Sequence, residues 1–253
     1  VVFIKLSIIV PVYNEEKRIS PFLEELCDFA KNKKDMEIIF VDDGSSDNSL
    51  EVLKNFKKRE SKSRIISYEK NRGKGYAVRL GVLSSKGEKV IFIDADNSTR
   101  PKEIPKMVEL LDKYDVVVGY REHKESKVQV VKKRKFIGKI FNLIVRILFQ
   151  SKFKDNLCGF KGFGRDVAKK LFGGLLSERW EFDVELFYKI KKSGYSISTQ
   201  PIEWKHKEGS KIKATDPLKI FLRLIILRIR LMTSSRLKSG ADGLKPVGFL
   251  RKA

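Results

Sequence analysis

KVIFIDADNS, residues 89–98, decides the fold. Lys89–Ile93 is a short β-branched and aromatic run of the kind a strand buried on both faces requires, and it stops at two aspartates. The same pattern recurs on either side of it. LSIIVPV (6–12) ends in YNEE, and EIIFV (37–41) ends in DDGSSD. Two further apolar runs lie at Arg64–Tyr68 and Asp115–Gly119. Helical patterning fills the gaps, over 20–33, 49–59, 74–84 and 101–111. Strands alternating with helices predict an α/β domain with a mostly parallel sheet covered by helices on both faces. Ligands of such sheets bind beyond the carboxyl ends of the strands. The polar clusters after Val12, Val41 and Ile93 all fall there, which predicts a nucleotide-type site.

Each cluster has its own chemistry. Asp94 and Asp96 flank the small Ala95, so in an extended continuation their carboxylates share a face. Two hard oxygen donors there suit Mg²⁺ or Mn²⁺, bound with help from substrate phosphates. A pair of aspartates also caps helices, and one begins near Pro101. Asp42 and Asp43 leave a buried strand into a tight turn, where a carboxylate can accept from a base or ribose hydroxyl or simply cap the next helix. In PVYNEE, Tyr13 offers a ring to stack on a base and Glu15 an acceptor. NRGKG (71–75) places Lys74 at a helix start, where backbone N–H groups and a cation favour phosphate. It lacks the spacing of a P-loop or of GxGxxG.

In this order the clusters resemble family 2 glycosyltransferases of the GT-A (Rossmann-like) fold, which show PxYNE, VDDGSxD, NxGKGxA and a DAD metal motif. DNLCGFKGF (155–163), WEFDVEL (180–186) and IEWKHKEGSK (202–211) are similar to elements of the dolichyl-phosphate glucosyltransferase branch. The resemblance implies an inverting transfer of a sugar, glucose from UDP-glucose first, onto dolichyl or polyprenyl phosphate. It implies that Pro11, Tyr13, Asn14, Glu15, Val41, Asp42, Asp43, Lys74, Asp94 and Ala95 hold the UDP- or GDP-sugar. Asp94, Asp96 and Ser98 would hold the metal, and Arg121, Lys135, Ser210 and Lys211 would face the acceptor phosphate. The departing diphosphate gains charge, so Asp96 (through its cation), Arg121 and Lys211 form the implied catalytic set. A phosphate acceptor is already ionised and needs no strong base. Asp183 or Glu185 can position it, or can serve the N-terminus of their own helix.

Composition narrows the setting. Of 253 residues, 42% are hydrophobic and 34% charged, which excludes a disordered or multi-spanning chain. Two cysteines exclude a disulfide framework or a four-cysteine zinc site and make a reducing compartment the default. The net charge is +22, of which residues 121–154 carry +9 and 204–253 carry +10. An anionic partner is therefore expected at those two stretches. At ~100° per residue, Lys135, Lys139, Asn142 and Arg146 fall on one helical face beside the apolar residues of 136–149, and 217–232 repeats the pattern with Lys219, Arg223 and Arg230 together and Arg228 opposite. Both runs are shorter than a ~20-residue span and carry cations throughout, so they are expected to lie in a membrane interface. Core packing is their alternative.

The expected organisation is a GT-A domain over 1–216 including the 136–149 helix, an amphipathic surface helix over 217–233, and a basic tail over 234–253. The apolar start is interrupted by Lys5 and runs into Pro11, so no signal peptide is expected, and the protein is placed peripherally on the cytoplasmic face of a membrane. The competing enzymes are a dolichyl-phosphate mannose synthase and a glycan-directed glycosyltransferase. A nucleic-acid binder fits the charge but has no aromatic platform or recognised module, so no nucleic-acid partner is expected.

Overall fold

The computed structural model describes residues 3–129, 142–150, 155, 157–205 and 216–241. Seven strands form one sheet in the order β3-β2-β1-β4-β7-β5-β8. They are β1 (Leu6–Val12), β2 (Met36–Asp42), β3 (Ser63–Ser67), β4 (Lys89–Ile93), β5 (Val116–Tyr120), β7 (Phe160–Gly164) and β8 (Ile197–Pro201). All pairings are parallel except those of β7, which runs antiparallel between β4 and β5. Two short strands, β6 (Lys127–Gln129) and β9 (Glu203–Lys205), pair separately. The expected mostly parallel sheet is present. β7 was not anticipated, because FKGFG is short and its two glycines break the apolar run.

Alternation along each strand explains the layering. Ile8, Val10, Ile38, Phe40 and Ile91 face one side, where α1 (Ser20–Ala30), α2 (Ser49–Arg59) and α4 (Ile104–Leu110) bring Phe22, Leu26, Leu53, Phe56 and Met107. Ile9, Ile39, Val90 and Phe92 face the other side. There they meet Val78 and Val82 of α3 (Lys74–Ser84), Phe172 of α6 (Arg165–Gly173) and Leu186 of α7 (Phe182–Ser193). A third, smaller cluster joins Val145 and Phe149 of the helical residues 142–149 (α5) to Val184 of α7. Leu224, Leu227 and Leu231 of α8 (Asp216–Ala241) complete it. Among the described residues, no helix is long and apolar enough to cross a membrane.

Strand order positions the site. The chain steps outward from β1 to β2 and β3, then returns to place β4 on the other side of β1. That reversal opens a crevice at the carboxyl ends of β1 and β4, where Tyr13–Glu15 and Asp94–Asp96 emerge.

Candidate active site at the carboxyl edge of the sheet

Pro11 pairs in register with Val41 and Val12 with Asp42, so the loops after β1 and β2 leave side by side. They are laced together. Asn14, at φ 52°, donates its backbone N–H to Ser45 Oγ (3.0 Å) and accepts from the Ser46 N–H (2.7 Å). The Glu15 N–H donates to Ser49 Oγ, while Arg18 donates to both Glu15 carboxylate oxygens. Tyr13 and Pro11 stay half-buried at this edge. Asp42 is 2% exposed, and its Oδ1 has no hydrogen-bond partner among the described residues. Burial pushes its carboxyl above the ordinary carboxylate range, against hydrogen bonds from Ser45. A buried acceptor without a donor, at a strand's carboxyl end, is where a ligand N–H or O–H can be received.

Asp43 does different work. Its Oδ1 accepts from the Tyr68 hydroxyl (2.9 Å) and the Arg72 N–H (2.8 Å), and its Oδ2 from Asn71 Nδ2 (2.8 Å) and the Gly73 N–H (2.9 Å). Both oxygens thus hold the turn that opens α3. Gly73 sits there at φ 112°, where a side chain would be strained and would strike Arg179. Asp43 is the foundation of that loop, a role the sequence alone did not reveal.

The loop aims Lys74. Its Nζ lies 2.6 Å from Asp94 Oδ1, spanning the crevice from α3 to the end of β4. Burial depresses the ammonium's proton affinity, but Asp94, Asp183 and Asp96 together carry it above its ordinary value. Asp94 is pushed up by burial and by Asp96, with Lys74 opposing. Ala95 is buried, and the Ser98 N–H donates back to Asp96 Oδ1 (2.9 Å), which curls the loop after β4.

β7 supplies the floor. The Asp94 N–H donates to the Gly159 carbonyl, and a Cβ on Gly159 would lie 1.9 Å from Asp94 Oδ2. Two residues on, Lys161 is fully buried and donates to the Cys158 carbonyl (2.6 Å) and Asp183 Oδ1 (2.7 Å), with the Phe92 and Phe187 rings about it. Burial pushes the Cys158 thiol up to about 12, so it stays protonated and inert. The CGFK element is thus the wall behind Asp94. The family-like DNLCGFKGF element pointed to this segment, but nothing in it showed that Lys161 would be buried. Glu185 accepts from the Leu176 and Ser177 N–H groups and pairs with Lys189, so it organises the loop before α7.

Arg121, just past β5, is clasped by Asp155 at two points (Nε to Oδ2 2.9 Å, Nη2 to Oδ1 2.6 Å) and lies 5.1 Å from the Trp204 ring centre. Burial alone would lower its proton affinity, but Asp155 raises it. Asp155 in turn is held below the ordinary range, because Arg121 outweighs its burial. β9 is tied to the loop after β4 by the Lys205 N–H to the Ser98 carbonyl and by the Thr99–Trp204 bridge. Lys135, Ser210 and Lys211 lie outside the described residues.

The donor set suits a hard cation. Asp94 and Asp96 offer carboxylates, yet among the described residues no three His, Cys, Asp or Glu side chains gather to cage a metal. A cation here would take its remaining ligands from a diphosphate or water, as Mg²⁺ and Mn²⁺ usually do.

The family model for glycosyl transferase family 2 matches residues 7–172. The dolichyl-phosphate beta-glucosyltransferase of Dictyostelium discoideum is 35% identical over 246 residues, covering 90% of this chain and 74% of its own. The Homo sapiens protein of that name is 35% identical over 249 residues, covering 91% and 77%. Among solved structures, glucosyl-3-phosphoglycerate synthase from Mycobacterium tuberculosis, in complex with Mn²⁺, UDP and glucosyl-3-phosphoglycerate, superposes with a TM-score of 0.61. It has 18% identity and coverage of 89% and 78%. S. aureus TarS 1–349 with UDP-GlcNAc gives a TM-score of 0.58 at 20% identity, over 89% and 66%. At those identities the structural matches speak for the fold. With a switch-point crevice walled by the VDDGSSD turn, the NRGKG loop and the DAD strand end, and with these relatives, the chain belongs to glycosyl transferase family 2.

Proposed function

We propose that this chain moves glucose from UDP-glucose to dolichyl or polyprenyl phosphate by a single inverting displacement at a membrane surface. The observation that carries the reading is the Lys74–Asp94 pair at the switch-point crevice, set beside the unpartnered Asp42 oxygen. The acceptor is inferred from the relatives, whose shared name specifies a β-glucoside of dolichyl phosphate, whereas UDP-glucose is α-linked. Inversion follows from that difference.

In this mechanism a non-bridging oxygen of the acceptor phosphate attacks the anomeric carbon. The bond to the nucleotide diphosphate breaks, and its electron pair leaves with UDP. The acceptor is already an anion, so no side chain need remove a proton. Asp42 receives a donor from the nucleotide, and Asp43 keeps the 71–73 turn in place. Lys74 stays protonated and sets its charge against the diphosphate as negative charge develops there. Asp94 and Asp96 would hold Mg²⁺ or Mn²⁺, which when bound supplies further charge stabilisation of the leaving group. Arg121, braced by Asp155, turns its remaining N–H groups to the acceptor phosphate, together with Lys135, Ser210 and Lys211.

Placement at a membrane surface is supported by the basic, apolar character of residues 136–149 and 217–232. A panel of UDP- and GDP-sugars with polyprenyl phosphate, following which sugar enters the organic phase and as which anomer, tests the proposal. UDP-glucose giving a β-linked lipid product is expected. Transfer of mannose from GDP-mannose, or transfer only to soluble glycans, would overturn it.

A further inference from the structure

The outer surface of α8 divides along its length. At ~100° per residue, Leu224, Leu227 and Leu231 fall within ~60° of each other and are the buried stripe. On the opposite side Leu222, Ile226 and Ile229 fall within another ~60°, and they are 51%, 49% and 57% exposed. Arg223 and Arg230 mark one boundary between the two stripes, and Arg228, over the Tyr188 ring, marks the other. On α5, Val145 and Phe149 are buried while Leu143 and Ile147 are exposed. Core packing therefore uses one side of each helix and leaves a second apolar face turned outward. Exposed apolar surface of this extent marks an interaction site.

Beside it lies a groove of about 460 Å³ between α8 and the 176–181 loop. Its walls carry three guanidinium groups, Arg179, Arg223 and Arg230, over the apolar Leu176 and Ile226. Glu178 and Glu181 also line it; Glu178 is held by Arg72. Among the described residues no carboxylate pairs with Arg223 or Arg230. Two arginines that no carboxylate pairs among the described residues, at the boundary of an outward apolar stripe, match in charge and position a lipid phosphate above its acyl chains.

We propose that this groove is a docking site for the phosphate of an anionic membrane phospholipid, with Leu222, Ile226 and Ile229 entering the acyl boundary beside it. The proposal rests on the membrane reading above and adds a defined headgroup site to it. The 176–181 loop gives the site its consequence. Its Glu178 carbonyl accepts from the Tyr76 N–H, and Arg179 packs on Gly73, so the groove and the Lys74 loop share one wall. Docking there would set the catalytic crevice at headgroup height.

The test uses the full chain and phosphatidylcholine vesicles with or without phosphatidic acid, free of polyprenyl phosphate. Arg223→Lys/Arg230→Lys keeps the charge but removes the planar, bidentate donor pair. It should weaken sedimentation with phosphatidic acid vesicles at least ~10-fold. Lys57→Gln/Lys58→Gln, which removes two exposed charges from α2, should change it by less than ~2-fold. Thermal melts confirm that both variants fold. Unchanged binding by the arginine-to-lysine pair would overturn the groove and leave a general charged membrane surface standing. No binding of the intact chain to either vesicle would remove the membrane reading as well. A lipid-free dimer abolished by Ile226→Asp would reassign the face to a second copy of the chain. The lysine pair should also transfer sugar normally to a short-chain, water-soluble polyprenyl phosphate. A loss there would make the groove the acceptor's phosphate site and overturn the proposal.

Discussion

Lys161 Nζ and Asp183 Oδ1 lie 2.7 Å apart, with side chains 0% and 5% exposed. The pair joins β7 to the first turn of α7 directly behind the crevice, and Asp183 also acts on Lys74. A buried charge needs both its partner and its hydrogen bonds, and Lys161 has them from Asp183 and the Cys158 carbonyl. The WEFDVEL and CGFK elements, 22 residues apart at this pair, are two halves of one ion pair.

Breaking the pair from one side should cost about 3–5 kcal/mol of stability, because Asp183 is then buried alone. Urea unfolding of Lys161→Met measures this. Lys161→Met combined with Asp183→Asn should recover most of the loss, since neither side then buries an unpaired charge. If the double variant is as unstable as the single one, the pair is not what holds the wall.

Gly159→Ala places a methyl where Asp94 Oδ2 now sits. The carboxylate must move by an ångström or more, and a misplacement of that size costs ~10²-fold in rate. Turnover should fall by about that factor while the melting temperature changes little. Normal kinetics in Gly159→Ala would show that Asp94 does not need its present position.

Asp42 is buried with an unpartnered oxygen, and its carboxyl is pushed above the ordinary value of 3.8. A raised acid favours the folded state at low pH, and that contribution is lost as pH rises through the folded value. At neutral pH the ionised group therefore works against folding. Asp42→Asn should raise stability by about 1 kcal/mol at pH 7, with the gain shrinking in acid, and should weaken UDP binding. Titration calorimetry and melts across pH check both halves, and a variant that is both less stable and fully competent to bind would contradict them.

Asp96→Ala, or chelation of divalent cations, should lower turnover at least ~10²-fold, as loss of one charge stabiliser does. The fold should persist, because Asp96 is half-buried at a surface crevice and, among the described residues, is hydrogen-bonded only within its own loop. Full activity of Asp96→Ala in chelator would remove the cation from the mechanism.

The alternation of apolar strands with helices, and the polar punctuation at the end of each strand, are local properties. A reading of LSIIVPV, EIIFV and KVIFI was therefore enough to place β1, β2 and β4 and the edge where Asp42, Asp94 and Asp96 emerge. Amphipathic spacing also placed helix over 217–232, which lies within α8, and over 142–149 of the 136–149 run, whose residues 136–141 lie outside the described residues. Tertiary structure alone decided how those residues are used. Asp42 and Asp43 are adjacent and chemically identical, yet strand pairing buries Asp42 with its Oδ1 unpartnered among the described residues and sets Asp43 under the 71–73 turn with both oxygens bonded. Lys161 looks out of place in an apolar strand until Asp183, from a distant helix, meets it. In α8, one apolar stripe became core and the opposite one stayed outside, a choice made by the neighbours Val145, Phe149 and Val184. Periodicity along a chain records which residues share a face. What covers that face, and which partner a buried charge finds, depends on segments far away in sequence.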